Sequence, residues 1–431
     1  MSKLKKISIF IDSYNDVDHI TPFVDYLLSN KKAKITLYKT KTSNLIGCEY
    51  HLQYLKEVYG LIPVYYDKDF SSMYIMLMSM YWKLCFFSNR AKRNSYLIPF
   101  LILFSQLRSI AMYLTYKEVS RIQKDIHVDI IMMDFGKELG LYGASIVKYV
   151  QDKPIKTVGY LHGLSIYTNV DGLQKDKVSL PPLKKFLLSL SKPKVKRSYF
   201  NRYVVGLEQK YTYFSSSMMA GYEKKYLGRI HELGMPRYTS EWIGKYRQNI
   251  MVRPDKFTYG DSKKTNVVLF LSHPKYNVCV SELMLTIKSL SSCNNINFVY
   301  KPHTRNGLDD IDNKGISGYD ASEISSLELS SWADVGIVYG SSVAFQLLQD
   351  NVPLIMPKYV HLNSTIFEKN NVCIPVGSVD ELINIFTKSK NEISGIVKQE
   401  NINRFVKHYV YGRRSYNDLM NNFYQFSVNF D

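Results

Sequence analysis

The chain has 431 residues, with 56 lysine and arginine residues against 38 aspartate and glutamate residues, which gives a net charge of +18. This length exceeds one ordinary hydrophobic core, so we expect two domains. A hydrophobic content of 45% and a charged content of 22% are typical of a folded protein and exclude extended disorder. The positive charge favours a polyanionic partner: nucleic acid, an acidic membrane surface or a phosphorylated substrate.

The five cysteines, at positions 48, 85, 279, 293 and 373, have neither metal-ligand nor redox spacing. We therefore expect free thiols in a reducing compartment. Residues 1–10 pass directly into a strand and lack the apolar core and cleavage site of a signal peptide. Together these features predict a cytoplasmic protein.

The first half of the chain alternates short apolar strands with helical patterns, which predicts an open parallel sheet covered on both faces. The predicted strands are residues 7–11, 34–38, 128–133, 157–161, 202–206 and a last one within 229–236. The third strand is tipped by Asp134, and the fourth ends at His162. We expect this first domain to span residues 1–237, followed by a linker of residues 238–264.

A second series of strands predicts a second α/β domain, over residues 265–400. Its first three strands end at polar tips, which are His273, Lys301–His303 and Gly340–Ser342. A helix-like run, residues 343–349, starts directly after the serines. The aromatic and basic tail, residues 401–431, is expected to pack back across the first domain.

The strand tips of the second domain have the residue types of a phosphate site. Ligands of open parallel sheets bind at the carboxyl ends of strands, and the N-terminus of a helix favours an anion. Lys301, His303 and Arg305 add positive charge at the edge that also carries Gly340–Ser342. Since we expect these tips on adjacent strands, the pattern predicts a site for a nucleotide monophosphate or diphosphate.

Two features leave a membrane contact open. Residues 174–202 contain nine lysine or arginine residues and one aspartate, and form either a solvated basic segment or one that lies on an anionic bilayer. Residues 73–87 and 97–104 are apolar but shorter than the roughly 18 uncharged residues of a membrane-spanning helix. Buried helices of the first domain are the favoured interpretation of these two stretches, and a lipid-contacting patch is the alternative.

Four motifs of the chain resemble motifs of known enzymes. They are Lys301-Pro-His-Thr304, the element from Asp334 through Ser341-Ser342 to Phe345, the turn Tyr160-Leu-His-Gly163, and Arg229-Ile-His-Glu-Leu-Gly-Met-Pro-Arg237. They resemble motifs of the GT-B glycosyltransferases that make bacterial surface polysaccharides. Similar motifs occur in the CDP-glycerol glycerophosphotransferases and in the Kdo and sialic acid transferases of capsule and lipopolysaccharide synthesis.

Two positions depart from these motifs. Thr304 replaces a second proline, and Gln346 replaces the glutamate of the glycerophosphotransferases, which weakens the resemblance to that subgroup. The resemblance implies the GT-B fold, in which two Rossmann-like open parallel-sheet domains face a cleft. It also implies an inverting transfer that needs neither a metal nor a cofactor.

The resemblance and the residue types suggest individual roles. The donor nucleotide and phosphate are expected to contact seven residues of the second domain: His273, Lys301, His303, Arg305, Gly340, Ser341 and Ser342. We expect His361 and Asn363 in the sugar or base pocket. His162 is the first candidate for the general base because imidazole titrates near neutral pH, and Asp134 and Glu138 are the competing carboxylates.

The sequence thus favours a glycosyltransferase that moves a sugar from a CMP- or CDP-linked donor to a surface polysaccharide or a lipid-linked glycan. We expect a cytoplasmic protein, and a peripheral position at the cytoplasmic face of the inner membrane, with an anionic membrane surface as a partner, stays open. Two alternatives stay open: a GT-B-like nucleotide-sugar epimerase of the UDP-N-acetylglucosamine 2-epimerase type, or a non-enzymatic protein that binds a polyanion. A nucleic-acid partner is not expected, since no recognised nucleic-acid motif occurs.

Overall fold

The chain forms two open parallel sheets, each covered by helices. The computed structural model describes residues 4–45, 48–91, 98–123, 127–160, 166–168, 199–208, 228–250, 257–272, 278–302, 318–361 and 363–430. For residues 85–91, 98–106 and 139 it describes the backbone alone.

The first sheet has seven parallel strands in the order β3-β2-β1-β4-β5-β6-β7. They are β1 (Lys5–Phe10), β2 (Ala33–Lys39), β3 (Val64–Tyr65), β4 (Ile130–Asp134), β5 (Lys156–Tyr160), β6 (Arg202–Gly206) and β7 (Ile230–Leu233). The strand order reverses between β1 and β4, which is the point where ligands bind in such sheets. Every residue of β4 is buried because helices cover both faces of the sheet.

Five helices connect these strands within the described ranges. They are α1 (Tyr14–Ser29), α2 (Glu49–Tyr59), α3 (Ser72–Ala91), α4 (Ile98–Gln123) and α5 (Leu141–Val150). The apolar stretches at residues 73–87 and 97–104 lie mostly within α3 and α4, which pack against each other.

No helix in the described part of the chain is both long enough and apolar enough to cross a membrane.

The second sheet has six parallel strands in the order β10-β9-β8-β11-β12-β13. They are β8 (Thr265–Phe270), β9 (Ile296–Lys301), β10 (Tyr319–Asp320), β11 (Val335–Val338), β12 (Leu354–Pro357) and β13 (Ile374–Val376). The described helices after the first sheet are α6 (Ser240–Asn249), α7 (Val280–Ser291), α8 (Ser326–Trp332), α9 (Ala344–Gln349), α10 (Ile366–Lys369), α11 (Val379–Ile385), α12 (Lys390–Gly395), α13 (Gln399–Tyr409) and α14 (Tyr416–Ser427).

The predicted fold class is confirmed, because both sheets are fully parallel and both have the Rossmann strand order. In each sheet the first three strands run outward to one edge, and the following strands run outward to the other edge. Short apolar runs that end at polar tips were sufficient to predict most of the strands. The strands β3, β10 and β13, of two or three residues each, were not among the predictions, since so short a segment has no hydrophobic period to detect.

The segment expected to be a linker, residues 238–264, contains the packed helix α6. Thr239 begins this helix by accepting a hydrogen bond from the backbone N–H of Trp242. Trp242, Ile243 and Tyr246 then share one face at helical spacing, and all three are buried in the core of the first domain. The connection between the sheets is therefore partly a built element of the fold.

The C-terminal helix α14 lies against β6 and β7 of the first sheet. Leu419 and Met420 are fully buried there. The Arg202 guanidinium donates to the carbonyl oxygens of Phe426, at 3.2 Å, and Asn429, at 2.8 Å. A cation at a helix C-terminus satisfies the carbonyls that the helix itself leaves unpaired.

The exit from β7, residues 234–239, contacts both domains, and we call it the joint. Arg237 forms an ion pair with Asp18 of α1, with 2.5 Å between Nη2 and Oδ2. The next residue, Tyr238, stacks on Phe345 of α9 with 5.0 Å between ring centroids. The Gln349 side-chain amide donates to the Tyr238 carbonyl at 2.7 Å. Arg237 of the joint thus binds α1 of the first domain, and the next residue, Tyr238, packs on α9 of the second domain.

The tail also crosses the joint. The Met235 N–H donates to the Val410 carbonyl at 2.6 Å. A Cβ atom on Gly234 would lie 2.1 Å from that same carbonyl oxygen, so this close crossing requires glycine. The joint is therefore fixed on three sides, by α1, by α9 and by the segment after α13.

Asp18→Asn is predicted to destabilise the protein by about 3 to 5 kcal/mol at neutral pH, because it leaves the buried Arg237 cation uncompensated. Burial alone would raise the pKa of Asp18, but Arg237 and His51 lower it well below its usual range. A depressed folded-state pKa contributes stability that is complete above the unfolded pKa, about 3.9. The difference in the free energy of unfolding between the unmodified protein and Asp18→Asn is thus expected to become smaller as pH falls below about 4.

Urea unfolding of both proteins between neutral and acid pH measures this deficit. Glu400→Gln is the control, because Glu400 pairs with Arg404 on the exposed face of α13 and should cost less than about 1 kcal/mol. A deficit of Asp18→Asn that equals the control, or that does not change with pH, would contradict the role assigned to the ion pair.

Candidate functional site

The two domains contact each other near the carboxyl edge of the second sheet. The segment after β5 reaches the second domain, where Tyr167 forms an antiparallel bridge with Thr365. The Thr168 N–H donates to Ser364 O at 2.9 Å, and the Ile366 N–H donates to Ile166 O at 2.8 Å. Residues 364–366 follow the carboxyl end of β12, so these bonds connect the carboxyl edge of the first sheet with that of the second.

The turn after β11, residues 340–342, lies at the centre of this contact. Gly340 has a φ of 65°, in the left-handed region that favours glycine. A Cβ atom there would lie 2.5 Å from the Tyr167 hydroxyl oxygen. The Ser341 hydroxyl accepts from the Val343 N–H at 3.4 Å, and helix α9 begins at the next residue, Ala344. Since α9 has six residues, any anion site here depends on the turn itself more than on the helix dipole.

The prediction that the two phosphate-site tips lie on adjacent strands is wrong. Strand β8 separates β9, which ends at Lys301, from β11. The residue that lies between the tips is Ser272, just after β8, whose hydroxyl donates to the Tyr339 carbonyl. Strand order is set by the crossover connections, which alternation along the sequence does not reveal. Ser272 therefore holds the base of the Gly340 turn from the neighbouring strand.

Lys301 is buried at the end of β9, and its ammonium donates to the Ser322 carbonyl. The side chain is thereby oriented along the carboxyl edge of the second sheet.

His361 and Asn363 lie beyond the end of β12, and both are buried. The His361 ring stacks on Tyr167 with 5.3 Å between centroids and an interplanar angle of 6°. The Asn363 N–H donates to His361 Nδ1 at 3.2 Å. The predicted pocket residues are thus brought next to the Gly340 turn, with Tyr167 of the first domain stacked against them.

Four of the predicted site residues lie outside the described ranges: His162, His273, His303 and Arg305. Their expected roles stay predictions.

The two predicted carboxylates of the first sheet, Asp134 and Glu138, are both buried, with 2% of each residue exposed. Asp134 is the last residue of β4. The Glu138 carboxylate accepts from the Gly136 N–H at 2.8 Å, which closes the loop after β4. This bond gives Glu138 a structural task, and burial restricts the access of both carboxylates to an acceptor substrate.

An accessible carboxylate at the same edge was missed by the sequence analysis. Asp12 follows β1 at the switch point, and 48% of its side chain is exposed. Its carboxylate pairs with the Lys137 ammonium at 2.7 Å, and Asp16 lies 3.7 Å from the same nitrogen. Burial alone would lower the pKa of Lys137, but the Asp16 and Asp12 carboxylates raise this pKa by more than burial lowers it. The net shift of the Lys137 pKa is upward, so the ammonium stays charged. The signal available in the sequence was the position of Asp12 directly after the first strand.

A cavity of about 30 Å³ lies beside the joint, behind the carboxyl ends of β5 and β6. Its lining includes His19, Tyr160, Gly206 and Arg237. The volume suits a water molecule and is too small for a sugar. Among the described residues, no group of three or more His, Cys, Asp or Glu side chains is arranged to hold a metal ion.

No protein-family model matches the chain. No curated protein matches it in sequence. Solved structures with similar overall folds include the glycotransferase of kitacinnamycin, at 10% identity, with 94% of this chain and 96% of that chain covered and a TM-score of 0.49.

Two further similar structures have different activities in their descriptions. The glycosyltransferase SnogD from Streptomyces nogalater has 10% identity, coverage of 93% of this chain and 96% of that chain, and a TM-score of 0.47. The UDP-GlcNAc 2-epimerase from Methanocaldococcus jannaschii has 11% identity, coverage of 93% and 98%, and a TM-score of 0.46. Likeness of this degree assigns no activity, and the fold assignment stands on the strand orders described above.

Gly340→Ala is predicted to destabilise the protein by about 2 to 3 kcal/mol, of which about 1 to 2 kcal/mol is left-handed backbone strain. The rest arises from the clash with the Tyr167 hydroxyl. In a Tyr167→Phe background the clash is absent, so the same substitution should cost only the backbone strain. Denaturant unfolding of the four proteins in a double-mutant cycle measures the difference. Equal costs in both backgrounds would contradict the close approach of Tyr167 to the turn.

Proposed function

We propose that this chain is a glycosyltransferase that moves a sugar from a nucleotide-sugar donor to a glycan or lipid-linked acceptor. The supporting observation is the contact between the domains at the carboxyl edge of the second sheet, where Tyr167 lies against both Gly340 and His361. Ligands of open parallel sheets bind at such edges, next to the switch point. Two such edges offer one binding place for each of two substrates, and holding both reactants in register is what a transfer reaction requires.

In this proposal the donor phosphate binds the turn of residues 340–342. The turn contributes backbone N–H groups and two serine hydroxyls, and Gly340 presents no side chain. Lys301 supplies positive charge from β9, and His303 and Arg305 are expected to add to it. Charge-assisted hydrogen bonds of this kind stabilise the negative charge that grows on a leaving phosphate.

The remaining donor contacts concern the sugar and the base. His361 and Asn363 are proposed to line that pocket, and the stacking of His361 on Tyr167 supports a fixed orientation for the imidazole. His273 is proposed to contact the donor from the end of β8. The resemblance of His303 and the Ser341-Ser342 pair to the Kdo and sialic acid transferases favours a CMP- or CDP-linked donor.

The general base is proposed to come from the first sheet. In the sequence, His162 follows the last residue of β5 by two positions, and it is the proposed base. Asp134 and Glu138 are less suited to this role because both are buried and Glu138 already holds the Gly136 N–H. Asp12 carries the Lys137 ammonium, so we assign this pair to positioning the acceptor.

The proposed reaction is a single displacement. The acceptor hydroxyl oxygen bonds to the anomeric carbon, and the bond from that carbon to the donor phosphate oxygen breaks. The phosphate leaves with the electron pair, and His162 takes the hydroxyl proton. The configuration at the anomeric carbon inverts, and the cations of the second sheet balance the leaving charge without a metal or a cofactor.

The proposed acceptor is a surface polysaccharide or its lipid-linked precursor, as in the synthesis of capsule, lipopolysaccharide or O-antigen by bacteria. Such an acceptor places the protein in the cytoplasm, peripherally bound at the inner membrane. The basic composition of the chain supports this placement.

A thermal-shift panel of CMP, CDP, UDP, GDP and their sugar conjugates tests the proposal. A cytidine nucleotide is expected to raise the melting temperature, because a ligand stabilises the folded state that it binds. The matching sugar conjugate should release its nucleotide only when a glycan acceptor is added. Conversion of the free nucleotide-sugar without an acceptor would instead identify an epimerase, and no stabilisation by any nucleotide would contradict the proposed site.

Single substitutions distinguish residues proposed to bind the donor from the residue proposed to act on the acceptor. Ser341→Ala and His303→Ala are expected to weaken nucleotide binding by about tenfold, the effect of losing one hydrogen bond to a charged group. His162→Ala should leave nucleotide binding unchanged and lower kcat by about 10² to 10⁴, the contribution of a general base.

Calorimetric titration and single-turnover assays measure these effects. The matched controls are Ser292→Ala and His127→Ala, since both residues are exposed and precede β9 and β4 at the amino edges. Unchanged binding in Ser341→Ala and His303→Ala would refute the donor site, and weakened binding in His162→Ala would refute its assignment to the acceptor side.

A further inference from the structure

Helix α3 exposes an unusual amount of apolar surface. Tyr74, Met78 and Tyr81 face the core of the first domain. On the outer side, Met73, Met76 and Met80 are 67%, 58% and 56% exposed, respectively. A spacing of three and then four residues places these three methionines in one stripe along the helix.

A second exposed stripe runs beside the methionines. Ile75 and Trp82, seven residues apart, are both exposed on α3. Helical geometry places Lys83 between the two stripes, and Lys83 is also exposed. The long lysine stem packs along apolar surface while its ammonium reaches a polar layer.

Helix α4 extends the same surface. The Tyr74 hydroxyl lies 2.9 Å from Thr115 Oγ1, so the two helices run side by side at this level. On α4, Ile110 and Tyr113 are exposed, and the Lys117 ammonium lies 4.8 Å from the centre of the Tyr113 ring. Several large apolar side chains exposed on two helices that pack together mark an interaction site more often than chance exposure.

The positive charge of residues 70–117 favours an anionic partner. From Phe70 to Lys117 the sequence contains six lysine or arginine residues and no aspartate or glutamate. Methionine, tryptophan and tyrosine side chains together with lysine, and without acidic residues, match the boundary between anionic headgroups and acyl chains. A second copy of this chain would instead bring its own six positive charges against these.

The surface also lies close to the proposed acceptor edge. Phe70, just before α3, stacks on Tyr142 of α5 with 5.8 Å between centroids. Tyr142 follows the loop of Lys137 and Glu138 by a few residues. The first turn of α3 therefore lies beside the carboxyl edge of the first sheet.

We propose that the outer face of α3 and α4, formed by Met73, Met76, Met80, Trp82, Ile110 and Tyr113, docks on an anionic lipid bilayer. The two helices lie in the headgroup boundary and do not cross the membrane. This docking holds the carboxyl edge of the first sheet at the bilayer surface. It extends the peripheral placement proposed above, and its test needs no transferase activity.

Co-sedimentation with lipid vesicles tests the docking. The full chain should bind vesicles that contain phosphatidylglycerol, bind pure phosphatidylcholine weakly, and lose binding as salt rises. Met76→Glu combined with Met80→Glu should lower the partition coefficient by about tenfold or more, since it places two carboxylates against anionic headgroups. Leu285→Glu is the matched control, because Leu285 is an exposed helical residue of α7 in the second domain, and its partition should match that of the unmodified chain.

Circular dichroism and the nucleotide thermal shift establish that each variant is folded. Tryptophan fluorescence provides a second measurement, in which Trp82→Phe should remove most of the blue shift that vesicles cause. Absence of binding to anionic vesicles, or an equal loss in Leu285→Glu, would overturn the proposal. So would a dimer in sedimentation velocity that the two methionine substitutions dissociate, since the occupant would then be a second copy. A protein that binds nucleotide but no vesicle would refute the docking and leave the transferase proposal intact.

Discussion

The rest of the structure depends on the buried ion pair between Asp18 and Arg237. It fixes the joint against α1, and the adjacent Tyr238 stacks on Phe345 of the second domain. A buried charge pair is costly to break, because either partner alone would be left without compensation in an apolar environment. This cost gives the joint one geometry. The bonds between residues 166–168 and residues 364–366 form a second connection between the two domains, beside the contact of Tyr167 with the Gly340 turn.

The proposed transfer site uses residues of both sheets. The second sheet contributes the turn of residues 340–342 and Lys301, and the first contributes the Asp12–Lys137 pair. Binding both substrates between rigid sheets replaces an encounter in solution by a fixed approach, which is a large part of the catalytic advantage of an enzyme. The exposed face of α3 begins beside the acceptor edge, so a lipid-linked acceptor would reach this site without leaving the membrane surface.

Local properties were predictable from the sequence, and long-range ones were not. Buried parallel strands appear as apolar runs, so β1, β4, β8 and β11 and their polar tips could be predicted. The neighbour relation of β9 and β11 could not, because crossovers decide which strand lies between them. The pair of Asp12 and Lys137 joins residues 125 positions apart, and no local pattern marks it. The exposure of α3 was also hidden, since its apolar composition suits a buried helix equally well.

A crystal structure with the cytidine nucleotide that stabilises the protein most would test the central claim most directly. We expect the phosphate oxygens within hydrogen-bond distance of the turn of residues 340–342, with the base toward His361 and the phosphate facing the edge that carries Asp12. A nucleotide bound at the first sheet, or at a surface away from both carboxyl edges, would contradict the proposed site and the reaction built on it.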